Sequence, residues 1–425
     1  MIPRISGGAV RARFAILPAG ATSETRLLLV ARGLRAVGDG FVSLLLPVYL
    51  LELGHGPFET GVIATATLAG SALLTLLVGL YAHRAAGRSL LICAALLMML
   101  TGVAFVTFDD FWPLLLVAFV GTLNPSSGDV SVFLPLEQAQ LARSVSDRGR
   151  TRLFARYSFI GSIMAAVGAL GAALPEAAAA LWGVELRLAL QTAFLVYAAL
   201  GGLALLLYRR LPRAVEAAHP DQAPPSPLGR SRSIVLTLAA LFSLDAFAGG
   251  LVVQSLLALW LFERFGLSLA ATGAIFFWTG VLSALSYFVA AWIADRIGLI
   301  NTMVFTHLPA NLCLTLVPFA PSLSLAITLL LVRSALSQMD VPTRTSYVMA
   351  VVAPEERPAA ASVTSVPRSL AAAASPALAG AMLAASGFGW PLFLAGGLKI
   401  TYDLLLLVMF RNVRPPQETG ARSRP

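Results

Sequence analysis

The sequence predicts an all-α membrane protein, with twelve transmembrane helices in two pseudo-symmetric six-helix bundles. Three observations predict it: too few charges to cover a soluble surface, twelve apolar stretches of membrane-crossing length, and a repeat relating the two halves. Of 425 residues, 58% are apolar and 12% charged, with a mean hydropathy of +0.82. A soluble domain carries about 25% charged residues, because its outer face must meet water.

A helix needs about 20 apolar residues to cross about 30 Å of hydrocarbon. Twelve windows satisfy this, at about residues 27–53, 57–82, 88–107, 111–137, 152–174, 184–208, 234–262, 270–294, 301–320, 323–350, 359–385 and 389–410. They divide the chain into an N-terminal tail (1–26), a first bundle (27–208), a linker (209–233), a second bundle (234–410) and a C-terminal tail (411–425). The linker is rich in Pro and Arg and reads as flexible and hydrophilic. The N-terminal tail has arginines but no apolar run of signal-sequence length, and it is expected to stay in the cytoplasm.

The basic charge reports topology. With the N-terminus inside, the tails, the linker and the even-to-odd loops hold 21 of the 29 arginines. The opposite side holds only Arg187 and Arg264, alongside Glu52, Glu59, Asp109, Asp110, Glu176, Glu185 and Glu263. The positive-inside rule therefore places both termini in the cytoplasm, and a nucleic-acid partner falls away. Cys93 and Cys313 lie in apolar segments and imply no disulfide framework. His55, His83, His219 and His307 are scattered singly without ligand spacing, so no metal and no cofactor is expected.

At a shift of about 212 residues the halves superpose. Gly54 and Gly61 fall on Gly266 and Gly273, His83-Arg84 on Asp295-Arg296, and Arg156 on Arg368; Asp129 falls one residue from Asp340. Two duplicated bundles place a binding cavity at their interface.

The loop Gly79–Ser89 reads GLYAHRAAGRS, and Ala291–Asn301 reads AWIADRIGLIN. They resemble the signature G-x-x-x-D-R-x-(x)-G-R of the major facilitator superfamily and its weaker second copy. The resemblance covers the whole chain and implies a transporter fold in which these loops gate the cytoplasmic face. It puts Gly79, His83, Arg84, Gly87 and Arg88 in the first copy and Asp295 and Arg296 in the second. The first copy has His83 where the family has an acid, so Glu137 is the expected partner of Arg84 and Arg88. Asp39 followed by small residues and Pro47 is similar to the first helix of drug/proton antiporters such as the tetracycline exporters. That likeness implies proton-coupled efflux across a bacterial cytoplasmic (inner) membrane. The antiporter signature G-P-x-x-G-G is absent from the fifth span, and the fourth carries no arginine between Trp112 and Arg143.

Charges inside the spans carry the site expectations. A carboxylate at mid-bilayer costs about 2.5–3.5 kcal/mol on insertion scales, so it marks a cavity or a partner. Asp39 lies about 18 Å into the first span, with Arg35 one turn before it, and Asp245 about 16 Å into the seventh. Arg333 lies about 15 Å into the tenth span. These residues, with Phe41, Phe276, Phe277 and Trp278, are the expected cavity lining. Asp129 and Asp340, both about 25 Å from the outer ends of their spans, join Asp39 and Asp245 as proton-coupling candidates. Asp340 and Arg344, with Arg156 and Arg368 as partners of Asp129 and Asp340, suit an inner gate. Lys399 and Asp403, at i,i+4 on the last span, are the expected structural pair.

The expected function is secondary transport of a small organic solute by alternating access, with proton-coupled efflux as the mode and uptake or facilitated diffusion as the alternative. The partners are the solute, protons and membrane lipids, and the expected state is a monomer. A membrane enzyme would need a juxtamembrane acid or histidine constellation that the short outer loops do not hold. A transport-inactive receptor would need a larger readout domain than the tails offer.

Overall fold

The computed structural model describes residues 22–81, 86–126, 131–143, 147–212, 228–229, 231–411 and 413, and these are overwhelmingly helical. The expected tails and linker fall largely outside them. The first half runs α1 (Ser23–Glu52), α2 (Pro57–Tyr81), α3 (Gly87–Thr107), α4 (Phe111–Val120), α5 (Phe133–Arg143), α6 (Asp147–Gly171), α7 (Leu174–Trp182) and α8 (Leu186–Arg209). The second runs α9 (Arg232–Gly250), α10 (Gln254–Phe265), α11 (Leu269–Ile297), α12 (Leu299–Leu316), α13 (Leu323–Ser337), α14 (Asp340–Val351), α15 (Arg357–Ala374), α16 (Pro376–Ala385) and α17 (Trp390–Phe410).

Among the described residues, nine helical stretches are long and apolar enough to cross a membrane, with Phe111–Val120 and Leu323–Ser337 as shorter apolar helices. The twelve uninterrupted spans expected from hydropathy are therefore not matched one for one. The fourth, seventh, tenth and eleventh are each split, into α4/α5, α9/α10, α13/α14 and α15/α16. Hydropathy windows average across such breaks, whereas Pro125 and Pro376 sit at them and remove backbone donors. Broken helices survive at membrane depth only where protein or water satisfies the freed groups. Here two breaks satisfy each other: the Ser255 amide at the start of α10 donates to the Pro125 carbonyl at 3.0 Å.

The repeat is visible in the backbone and the packing. Gly54 and Gly266 both end their helices with positive φ, at 86° and 61°, a region closed to most side chains. In the first half α1 packs on α6, α3 on α8 and α2 on α4; in the second α9 packs on α15, α12 on α17 and α11 on α13. The halves meet through α2 against α15 and α16, and through its repeat mate α11 against α6.

Small residues permit those two seams. A Cβ on Gly61 would lie 2.5 Å from the Pro376 carbonyl oxygen and 2.8 Å from the Gly380 Cα. One on Gly273 would lie 2.5 Å from the Ala169 carbonyl oxygen. Close approach of backbones through small residues is how membrane helices gain dispersion contacts when lipid is as apolar as the protein.

Candidate functional site

Buried carboxylates organise the second half. Asp245 on α9, 5% exposed, accepts Lys399 Nζ of α17 on Oδ1 at 2.5 Å and Arg344 of α14 on Oδ2 at 3.1 Å. Arg344 also lies 3.4 Å from Asp340, one turn earlier on its own helix. Two carboxylates and two cations thus compensate one another, the condition for holding charge in a low dielectric. Asp403 is buried beside them on α17. It takes His307 Nδ1 at 2.9 Å and Asn311 Nδ2 at 2.8 Å, both on one face of α12.

Glu137 at the start of α5 is the first-half counterpart. It accepts Arg35 of α1, Tyr157 of α6 at 2.5 Å and Tyr208 of α8 at 2.6 Å, while Arg35 Nε donates to the Tyr208 hydroxyl at 3.1 Å. The Arg35 guanidinium lies 3.9 Å from the centre of the Phe133 ring, and that of Arg32 5.0 Å from the Tyr157 ring. One carboxylate therefore ties four helices together.

Hydrogen bonds and close contacts join the halves toward one end, the end of the 53–56 and 266–268 turns. Gln254 Nε2 donates to Ser43 Oγ at 3.0 Å, the Ala377 amide to Thr65 Oγ1 at 2.9 Å, and the Ala270 amide to Glu176 at 3.4 Å. Toward the other end, where α1 begins and α17 finishes, Arg368, Val366 and Leu370 on α15 are exposed and Arg156 on α6 is half-buried. Arg368 lies within electrostatic reach of Arg344, Asp245 and Asp340, so it shares their side of the bundle. The hydrogen bonds between the halves thus gather toward one end, while toward the other Arg368 is exposed within electrostatic reach of the buried charged cluster.

The sequence profile of the Major Facilitator Superfamily matches residues 28–339 and 257–425, together nearly the whole chain. The chain belongs to the Major Facilitator Superfamily. An uncharacterized membrane protein of Saccharomyces cerevisiae, YJR124C, is 23% identical over 92% of this chain and 95% of its own length. Among solved structures, a point mutant of the nucleoside transporter NupG superposes with a TM-score of 0.73 at 14% identity, over 91% of this chain and 100% of that one. A bacterial homologue of the human lysosomal transporter Spinster, in an inward-facing and occupied conformation, gives 0.69 at 14% identity, over 92% and 97%. At such identities the likeness is one of fold. The protein is a multi-pass membrane transporter and not an enzyme.

Within this facilitator, several expected partnerships differ. Lys399 and Asp403 do not neutralise each other: Lys399 turns to Asp245, and Asp403 to His307 and Asn311. The packing of α17 on both α9 and α12 offers each charge a cross-helix partner with better geometry than the i,i+4 neighbour. Glu137 is taken by Arg35, and Arg88 donates to the Arg209 carbonyl at 2.7 Å rather than to Glu137. Arg368 has no hydrogen bond or ion pair among the described residues, and Asp340 faces Arg344. Arg344 is satisfied within its own half.

The other expected residues are placed as follows. Asp39 and Phe41 are buried on α1, Asp39 within electrostatic reach of Arg35 and Tyr197. Phe277 and Trp278 pack edge to face at 5.3 Å; Trp278 is 56% exposed, opposite the Gly273 and Gly280 face that touches α6. Arg333 keeps a buried Nε without a hydrogen-bond partner, within electrostatic reach of Asp245. Gly79 is exposed, Gly87 is buried at the start of α3, and Arg296 stacks 3.8 Å from the Trp292 ring. His83, Arg84 and Asp129 lie outside the described residues, as does the side chain of Asp295. Sequence reasoning missed Tyr157, Tyr208, His307 and Asn311. Histidine and asparagine four residues apart in an apolar span were the available signal.

Proposed function

We propose that the protein is a secondary transporter that exports a small organic solute by alternating access, driven by protons. The observation that carries this reading is the one-sided closure: the glycine seams at Gly61 and Gly273 join the halves toward one end, while toward the other Arg368 is exposed near the buried Asp245 cluster. The basic segments flank the open end, so the positive-inside rule supports a cytoplasm-facing state with both termini inside. A bacterial cytoplasmic membrane fits the arginine asymmetry.

Asp245 and Asp340 are the coupling carboxylates in this reading. Each is held by a cation that a conformational change can withdraw, and a carboxylate stripped of its cation in a low dielectric takes a proton instead. Asp39 and Asp129 are the first-half candidates. The central linker and the loop arginines Arg84, Arg88 and Arg296 act at the cytoplasmic face. The likeness to transporter folds supports rocking of the halves around a shared cavity.

The test is flux in proteoliposomes under an imposed pH gradient, with the Asp245→Asn and Asp340→Asn variants in parallel. Gradient-driven accumulation that collapses to equilibration in both variants supports the assignment. Accumulation that both variants retain unchanged removes these carboxylates from coupling.

A further inference from the structure

We propose that the transported solute carries an anionic group, a carboxylate, sulfonate or phosphate, and that Arg368 is the residue that binds it. The inference rests on the transport reading above and adds the charge class of its substrate.

The argument begins with charge balance. Asp245 and Asp340 are matched by Lys399 and Arg344, and Asp403 by His307 and Asn311. Arg368 is left over: among the described residues it makes no hydrogen bond or ion pair, although Arg344, Asp245 and Asp340 lie within its electrostatic reach. It is not a peripheral charge, because it sits eleven residues past Arg357, about 16 Å along α15 from the open end. A guanidinium at that depth is costly unless water or an anion reaches it.

Its surroundings fit a binding role. Arg368 is exposed on a helix whose neighbouring turn carries the exposed hydroxyl residues Ser362 and Ser365. Arg156, its repeat mate on α6, is also without a hydrogen bond or ion pair among the described residues. The excess charge of the second-half cluster is therefore positive, and Arg368 is its exposed cation. A planar guanidinium engages a carboxylate or phosphate through two parallel hydrogen bonds. Export of such an anion also gains from an inside-negative membrane potential, by about 2.3 kcal/mol per charge per 100 mV.

The experiment uses the full chain in neutral-lipid nanodiscs. Thermal stabilisation is measured with benzoate, benzenesulfonate, phenyl phosphate, hexanoate and hexyl phosphate, each beside its uncharged amide or alcohol analogue. Wild type is compared with Arg368→Gln, Arg368→Lys and the surface control Arg187→Gln. The proposal expects at least one anion to stabilise wild type and the control while its uncharged analogue does not. Arg368→Gln then weakens that anion by at least about tenfold, with Arg368→Lys in between. Without ligand, Arg368→Gln is expected to melt no lower than wild type, because it removes an uncompensated cation.

Stabilisation by uncharged analogues alone, by no member of the panel, or equally in Arg368→Gln overturns the proposal. So does stabilisation by phosphatidylglycerol with none by the soluble anions, which makes the site a lipid contact. A bound anion that fails to cross proteoliposomes leaves the site and sinks the transport reading. Flux of a neutral solute independent of Arg368 does the reverse.

Discussion

Arg344 meets Asp245 across α14 and α9 at 3.1 Å, and the corresponding helices of the first half, α5 and α1, are joined by Glu137 and Arg35 with the signs exchanged. In the first half the leading helix brings the cation and the broken fourth span the acid. In the second half the leading helix brings the acid and the broken tenth span the cation. The duplicated architecture thus keeps an ion pair between the same two helices while exchanging its signs and shifting its residues.

Removing one side of such a pair leaves a buried charge uncompensated. Asp245→Asn strands Lys399 and leaves Arg344 with Asp340 alone, and is expected to destabilise the protein by about 3–5 kcal/mol. Adding Lys399→Met to that variant recovers a large part of the loss. Unfolding midpoints of the two variants in one detergent check the order.

Glu137 concentrates the first-half network, with three side chains donating to one carboxylate. Glu137→Ala is expected to cost about 3–5 kcal/mol, whereas Tyr157→Phe removes one hydrogen bond and costs about 1 kcal/mol. Equal losses in thermal denaturation would contradict this ranking.

The seams at the closed end admit no side chain. Gly61→Val places atoms against the Pro376 carbonyl and Gly380, so the variant is expected to populate states with that end parted. Its flux should fall at least tenfold while its circular dichroism stays helical. Gly273→Val is expected to behave alike because it meets Ala169 at the symmetric seam. Wild-type flux in either variant would show that the seam is not a moving contact.

Asp403 has a different role from Asp245, because its partners include the uncharged amide of Asn311. Asp403→Asn is expected to leave gradient-driven flux within about twofold of wild type. Asp245→Asn abolishes the dependence on the gradient. Initial rates with and without a pH gradient separate the two.

Much of the fold was legible because it depends on local chemistry. Apolar window length gave an all-helical membrane fold, though not twelve unbroken spans, and the shared offset of Gly54 with Gly266 and of Gly61 with Gly273 pointed to the duplication. Those glycines proved to be two left-handed turns and two helix seams. Partner choice was not legible. Sequence spacing offers i,i+4 neighbours, such as Asp403 for Lys399, but a buried charge takes the partner that packing delivers. For Lys399 that is Asp245, 154 residues away. Helix breaks were half legible: Pro125 and Pro376 signal them, yet only the meeting of Ser255 with Pro125 across the halves shows why a break is tolerated. The expected pairing of Arg368 with Asp340 failed for the same reason as that of Lys399 with Asp403, since Arg344 already occupies the carboxylate.

The most direct test of alternating access is a pair of inter-half distances in the same protein, measured by pulsed electron resonance in nanodiscs. One spin-label pair goes at the closed end, on Trp182 and Ser268, and the other at the open end, on Ala139 and Thr345. Cys93 and Cys313 are replaced by serine. The prediction is two populations whose distances change in opposite senses, one end lengthening as the other shortens, with Gly61→Val enriching the state parted at the Trp182–Ser268 end. Two distances that stay fixed, or that lengthen and shorten together, under acid, neutral and Gly61→Val conditions would contradict the account.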